Sequence, residues 1–284
     1  MRRAVGDKKM NRFKTTRILA ASAFVLGVLS LAGPANSADS HGGATVERQH
    51  WSFGGPFGHF DKAQLQRGFQ VYREVCSACH SLSRVAIRTL AEAGGPGFSE
   101  GQVRALAAEY KIKDINDTGE PIERAGRPAD MFPKNFANDE AAKAVHGAVP
   151  PDLSVIAKAR SYSRGFPMFL LDMFPGSAYQ EHGPDYLVAL LNGYIKADDQ
   201  KWNAVFPGNT IAMAKPLSDG QVEYSDGSPK TVVQYSHDVS AFLMWAAEPK
   251  MEERKKTGLR VMLFLLVFAG LLYFTKKKIW ADAH

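Results

Sequence analysis

The residues best equipped for chemistry in this chain form one pentapeptide, Cys76-Ser77-Ala78-Cys79-His80, which holds both cysteines of the 284 residues. Thiols at i and i+3 lie on one helical face, so each can add to one vinyl group of the same porphyrin edge. The imidazole that follows can then turn onto the iron. Two other chemistries use a Cys-x-x-Cys. A redox dithiol has no need of His80, and a structural zinc needs a second pair of ligands that two cysteines cannot supply. The C-x-x-C-H pattern is the signature of c-type haem attachment, so the expectation is one covalently bound haem c on Cys76 and Cys79, with His80 on the iron.

The iron then needs a sixth ligand or an open position. Methionine opposite histidine raises the potential and suits electron transfer, whereas an open site would suit a haem enzyme or sensor. Of nine methionines, Met1 and Met10 lie in an N-terminal leader and Met262 in an apolar C-terminal run. Met131, Met168, Met173, Met213, Met244 and Met251 remain. Met213 is favoured because "FPGNTIAMAKPLSDG" is punctuated by Pro and Gly, a loop able to present a side chain far along the chain from His80. Spacing alone does not decide it, and His146, His182 and His237 are rival ligands. Haem propionates inside a protein want bidentate donors, for which Arg160, after "PPDLSVIAKA", is the candidate.

The elements that must position these groups read as mainly helical. In "DKAQLQRGFQVYREVC", Asp61 is a plausible N-cap, and Leu65, Gly68, Phe69 and Tyr72 share one face of a helix that runs straight into Cys76. "SEGQVRALAAEY" and "NDEAAKAV" open on Ser99 and Asn138 caps. Between them, "KIKDINDTGEPIERAGRPADMFPKNFA" is polar and broken by Gly and Pro, and reads as a long surface insertion. "PPDLSVIAKARS" carries the prolines and early acid of a helix start. "GPDYLVALLNGY" starts at Pro184-Asp185 and stops at Gly193. "SPKTVVQYSHDVSAFLMWAAEP" is amphipathic, with Val232, Val233, Val239, Phe242, Leu243 and Trp245 available for a core, and Pro249 ends it.

Both ends point to a membrane. Residues 1–38 have a basic start, an apolar run Ile18–Ala32, then Gly33-Pro34 and small residues, the pattern of a secretory signal cleaved after Ser37 or Ala38. The uncharged run Val261–Phe274, bracketed by Arg260 and Lys276–Lys278, is extended by snorkelling to a length able to span. Residues 39–249 would then be the exported haem domain, and 250–284 an anchor with a short cytoplasmic tail. The formal charge of +6 misleads. Of 35 basic and 29 acidic residues, residues 1–38 hold seven and one, and 250–284 hold eight and three, leaving 20 basic against 25 acidic between them. An acidic exported domain is no nucleic-acid binder.

"FDKAQLQRGFQVYREVCSACHSL", "GAVPPDLSVIAKAR", "FPGNTIAMAKPL" and "AAEPKMEERKKTGLRVMLFLL" together resemble the cytochrome c1 family, haem subunits of the ubiquinol–cytochrome c oxidoreductase (cytochrome bc1) complex, in a bacterial version. The resemblance covers about residues 50–280. It implies a mainly α cytochrome-c-type haem domain with loop insertions plus one C-terminal transmembrane helix. It also implies haem c on Cys76 and Cys79, axial His80 and Met213, and a propionate contact from Arg160. Electrons would arrive singly from a Rieske iron–sulfur protein and leave to a soluble c-type cytochrome. The chain would sit beside cytochrome b in a dimeric complex of the bacterial inner membrane, with its haem domain in the periplasm and its C-terminus in the cytoplasm. Gly68 would allow close crossing of the N-terminal and C-terminal helices, with Tyr72 against Phe242 or Trp245. With no spare cysteine for a further disulfide, the Met213 loop is expected to be held by packing alone. The acids of residues 98–140 are expected to help dock a lysine-rich cytochrome.

Overall fold

The helix that leads into Cys76 forms for local reasons. In the computed structural model, which describes residues 46–162 and 181–281, it is α1, Lys62–Glu74, and the Asp61 carboxylate caps it by accepting from Gln64 N at 3.0 Å. Gln64, Leu65, Gly68, Phe69, Val71 and Tyr72 form its buried face. A 3-10 turn, Cys76–Ala78, follows at once. After a second 3-10 turn, Ile87–Ala91, come α2 (Glu100–Glu109) with a full Ser99/Gln102 capping box, and the antiparallel pair β1 (Lys111–Ile115) and β2 (Pro121–Ala125). Then follow α3 (Asp139–His146), capped by Asn138, the single turn α4 (Ile156–Ala159), α5 (His182–Asn192), α6 (Val232–Ala247) and α7 (Met251–Ile279). The described part is thus mainly α. The expected signal, residues 1–38, and Met168 and Met173 lie outside the described residues.

The core forms where α1 crosses α6. A Cβ on Gly68 would stand 2.1 Å from the Asp238 carbonyl oxygen and 2.7 Å from Phe242 Cβ, so only glycine permits this approach. Tyr72 packs on Phe242 with ring centroids 5.9 Å apart, and Phe242 on Trp245 at 5.5 Å. Arg67 adds a buried tie, donating to fully buried Asp238 at 2.9 and 3.2 Å and to Asp226 at 2.8 Å. α5 covers α6 from another side. Its Asp185, expected only as a helix-start acid, is fully buried and accepts from Trp51 Nε1 at 2.7 Å and Gln49 N at 3.1 Å. That contact draws the N-terminal segment onto the core.

Three expectations need correction. The polar stretch after α2 is a surface insertion, but it folds as the β1–β2 hairpin, because Asn116 accepts three bonds across its turn and Arg124 bridges Asp114 and Asp130. "PPDLS" does not start the helix: α4 begins only at Ile156, because Asp152 is drawn into the contacts with Ser83 described below. Val233, expected in the core, is 66% exposed, since α6 turns Tyr235, Val239 and Phe242 inward instead.

α7 is 29 residues long, about 43 Å at 1.5 Å per residue, with a mean hydropathy of 2.0 in its most apolar stretch and none of that stretch buried. That exposure excludes a core helix and leaves the reading of a membrane anchor. Its start is fastened to the domain. Glu248, capping α6, takes both Lys158 of α4 and Arg254 of α7, while Lys250 reaches Glu92 at 3.0 Å. Glu252 accepts from Phe60 N at 2.9 Å, and Lys255 Nζ donates to the Phe53 carbonyl at 2.5 Å.

Candidate haem site

α1 ends at Val75, and the chain tightens into the 3-10 turn, in which side chains at i and i+3 eclipse. Cys76 and Cys79 are therefore presented on one side, both as free, half-buried thiols. The turn closes through Cys79 N and His80 N, which donate to the Cys76 carbonyl at 3.2 and 2.9 Å, and Ser77 Oγ ties it back to the Arg73 carbonyl at 2.7 Å. Burial, with the neighbouring Cys79 second, pushes the Cys76 thiol up to about 12.

His80 Nδ1 lies 2.8 Å from the Pro151 carbonyl oxygen. A carbonyl only accepts, so Nδ1 carries the proton and the lone pair is on Nε2. Burial lowers the His80 pKa and so favours the neutral imidazole that a metal requires. Tyr72 Oη donates to the His80 carbonyl at 3.0 Å, fixing the backbone beneath the ring.

A strap made of residues 151–154 holds the far side of this turn. Leu153 N donates to the Ser81 carbonyl at 2.9 Å. Ser83 donates to Asp152 Oδ2 from its backbone at 2.9 Å and from its hydroxyl at 2.7 Å. Ser154 N donates to Asp152 Oδ1 at 2.8 Å and Ser154 Oγ accepts from Arg84 N at 3.1 Å. Burial alone would raise the Asp152 carboxyl, but the bonds from Ser154 and Ser83 hold it below its ordinary value. Asn135 adds a second fastening, donating to the Ser77 carbonyl at 2.5 Å and sharing bonds with Ser81.

Met213 is half-buried in its loop, and its carbonyl accepts from Tyr194 Oη at 3.0 Å. The loop is not held by packing alone. Buried Asn203 donates to the Leu190 carbonyl at 2.8 Å and accepts from Val205 N and Phe206 N at 3.0 and 3.1 Å. Asn209, at φ +58°, donates back to Asn203 O at 3.0 Å, while Ile211 N and Lys215 N bond to the Lys201 and Gln200 carbonyls. Sequence reasoning missed Asn203, although an Asn a few residues ahead of a Pro-Gly turn is a recognised turn-former. It missed Pro151 and Asn135 as well, whose roles are contacts across the chain and leave no local signal.

Two of the rival histidines are packed against aromatic rings, while His146 lies near enough to His80 to add to burial in lowering its pKa. His237 stacks on Trp51 at 4.3 Å with Nδ1 2.8 Å from Gln64 Nε2, and His182 packs against Tyr162 at 4.6 Å. His146 is exposed at the end of α3, edge-on to Phe136 at 5.3 Å. Arg160 caps α4 and is exposed. Among the described residues, neither Met213 nor Arg160 is hydrogen-bonded to the Cys76–His80 turn.

Two thiols on one edge and a neutral imidazole with its Nε2 lone pair uncommitted form a donor set that fits a covalently attached haem. No group of three or more His, Cys, Asp or Glu side chains able to hold a metal ion is found among the described residues.

Comparison with known proteins agrees with that chemistry. A family model described as the Cytochrome C1 family matches residues 51–283. Cytochrome c1 of Blastochloris viridis is 48% identical over 274 residues, covering 93% of this chain and 95% of its own length. Cytochrome c1 of Rhodospirillum rubrum is 41% identical over 280 residues, covering 90% and 94%. Cytochrome b/c1 of Bradyrhizobium diazoefficiens is 55% identical over 277 residues, and this chain spans 39% of that protein's length. The chain therefore belongs to the cytochrome C1 family, as a membrane-anchored electron-transfer subunit of the cytochrome bc1 complex that carries one covalently bound haem c and is no enzyme by itself.

Proposed function

We propose that the chain takes single electrons from a Rieske iron–sulfur protein and passes them to a soluble c-type cytochrome, with Cys76 and Cys79 the residues that would hold the haem and His80 and Met213 those that would ligate its iron. The observation that supports this is the 2.8 Å contact of His80 Nδ1 with the Pro151 carbonyl, which leaves the Nε2 lone pair able to take a metal. The haem supplies the one-electron couple. The protein's part is to hold it still. The Asp152 and Asn135 contacts fix the His80 side, Asn203 and Tyr194 fix the backbone of Met213, and Arg160 contributes its guanidinium to a propionate. No bond to a substrate is made or broken here.

In this reading α7 anchors the chain beside cytochrome b in a dimeric complex of the bacterial inner membrane. Residues 39–249 face the periplasm after removal of 1–38, and residues 276–284 face the cytoplasm. The name of the Bradyrhizobium relative, cytochrome b/c1, supports the partnership with cytochrome b. The acids of residues 98–140 divide by partner. Asp114 and Asp130 are bound to Arg124, Glu109 to Arg73, and Glu120 accepts from Asn116 and Thr118 in the hairpin turn, so docking of a lysine-rich cytochrome falls to exposed Glu100, Asp117, Glu123, Asp139 and Glu140.

The test is a reduced-minus-oxidised spectrum and redox titration of the purified membrane protein, with and without Met213→Leu. Haem that stays attached after denaturing extraction, with a low-spin spectrum and a high potential that the substitution abolishes, is the expected result. A spectrum indifferent to the substitution would replace the electron-carrier ligation by an open sixth site, as in a haem enzyme or sensor.

A further inference from the structure

Where α7 leaves the haem domain there is a cleft of about 580 Å³, within the size range of small-ligand sites. Its lining includes Phe57, His59, Lys62, Lys255, Lys256 and Leu259. Three ammonium groups thus line one opening, with Glu252 the sole carboxylate among its walls. That carboxylate is already committed, accepting from Phe60 N at 2.9 Å, and it stands 4.0 Å from Lys256. Lys255 is fixed by the Phe53 and Gly58 carbonyls, to which its Nζ donates, with the charges of Glu181, Glu248 and Glu252 nearby. Lys62 lays its stem over Gly97 and is exposed, with no ion pair to it recorded among the described residues.

The level of this cleft is set by the helix. Lys256 precedes Val261, where the uncharged run of α7 begins, by five residues, or about 7.5 Å along the axis. Lys256 therefore stands about one and a half helical turns above the start of that run, within the head-group layer that flanks the hydrocarbon. Phe57, in the lining, is 77% exposed, an apolar ring whose burial at the edge of the acyl region would be favourable.

We propose that this cleft is a binding site for the phosphate-bearing head group of an anionic phospholipid, clamped by Lys62 and Lys256 over the fixed charge of Lys255, with Phe57 in the adjoining acyl region. Lysines near a membrane surface each contribute about fivefold to anionic-lipid affinity, so losing two of them weakens the site about thirtyfold. Neither Lys62 nor Lys256 touches the Cys76–His80 turn or its strap, so their removal leaves the haem spectrum as a check on folding.

The full-length haem-loaded protein is equilibrated in mixed phosphatidylglycerol and phosphatidylcholine micelles, and retained lipid is counted by native mass spectrometry. The wild type should keep phosphatidylglycerol over phosphatidylcholine. Lys62→Gln/Lys256→Gln, with Lys276–Lys278 intact, should lose that retained copy, while Lys111→Gln/Lys113→Gln on the hairpin should keep it. Equal retention of the two lipids, or undiminished phosphatidylglycerol on the Lys62/Lys256 variant with an unaltered spectrum, would overturn the proposal. Displacement of the lipid by millimolar inorganic phosphate would also overturn it, since the site would then read a free anion and not a lipid.

Discussion

Gly68→Ala is a substitution for which local and tertiary preferences oppose each other. Within a helix, alanine is favoured over glycine by about 1 kcal/mol. At this position, however, the new methyl would sit 2.1 Å from Asp238 O and 2.8 Å from Asp238 C, and backbone of a buried helix cannot rotate aside. α1 and α6 must separate by about an ångström, a gap that forfeits a quarter to a half of the dispersion between facing atoms. The side chains facing across that gap include Leu65, Phe69, Tyr72 and Phe242, each worth about 2 kcal/mol when fully buried. The loss is then about 2–4 kcal/mol, and after the helix-propensity gain about 2 kcal/mol of net destabilisation remains. For a domain of this size that lowers the midpoint by about 4–8 °C. Thermal unfolding of the haem-loaded protein in detergent, followed by Soret circular dichroism, measures it. Gly101→Ala is the control: that position lies in α2 with its nearest neighbour, Ser99 Oγ, at 3.9 Å, so the same change should be neutral or mildly stabilising. If Gly68→Ala unfolds at or above the wild-type temperature, the crossing is not limited by that contact and the reasoning fails.

Asp152→Asn should weaken the strap by about 1–2 kcal/mol at neutral pH, the cost of charge-assisted bonds replaced by neutral ones. Because the folded carboxyl is held below its ordinary value, its contribution is present above the unfolded carboxylate range and is lost as pH falls through the folded pKa; acid titration of the wild type should show this loss, and the variant should lack it. Asn203→Ala should leave the Leu190 carbonyl and two loop amides without their partner, cost about 2–4 kcal/mol, and lower the reduction potential through a displaced Met213; a normal potential in redox titration would show that the loop does not depend on this residue. Reversing the charge of Glu100, Asp117, Glu123, Asp139 and Glu140 together should slow reduction of a lysine-rich soluble cytochrome in stopped flow and flatten its salt dependence; an unchanged rate would remove this face from docking.

What the sequence disclosed is what its neighbours along the chain decide. Asp61, Ser99 and Asn138 cap their helices within three residues, and Cys76, Cys79 and His80 belong to one turn, so spacing sufficed for both. Gly68 was legible only through the family resemblance, which supplies the helix crossing that this glycine permits. The hairpin was not, because Ile115 and Ile122 alternate on strands with no buried face, and the pairing is held by Arg124 with two acids. Asp152 and Asp185 looked alike, each an acid just after proline. One clamps Ser83 and the other receives the Trp51 indole, a distinction made wholly by residues 69 and 134 positions away.

The ion pairs of Glu248 with Lys158 and Arg254 have a kinetic meaning. They join α4, which follows the 151–154 strap, to the first turn of the anchor through one carboxylate, so the domain is mounted on its helix and not hung from a tether. A tethered carrier would present its electron-accepting edge at a new height and tilt in every collision, and both bodies would have to find their orientation. With a mounted one, the target holds its bearing above the bilayer, and the orientational search that slows protein association falls on the visiting partner alone.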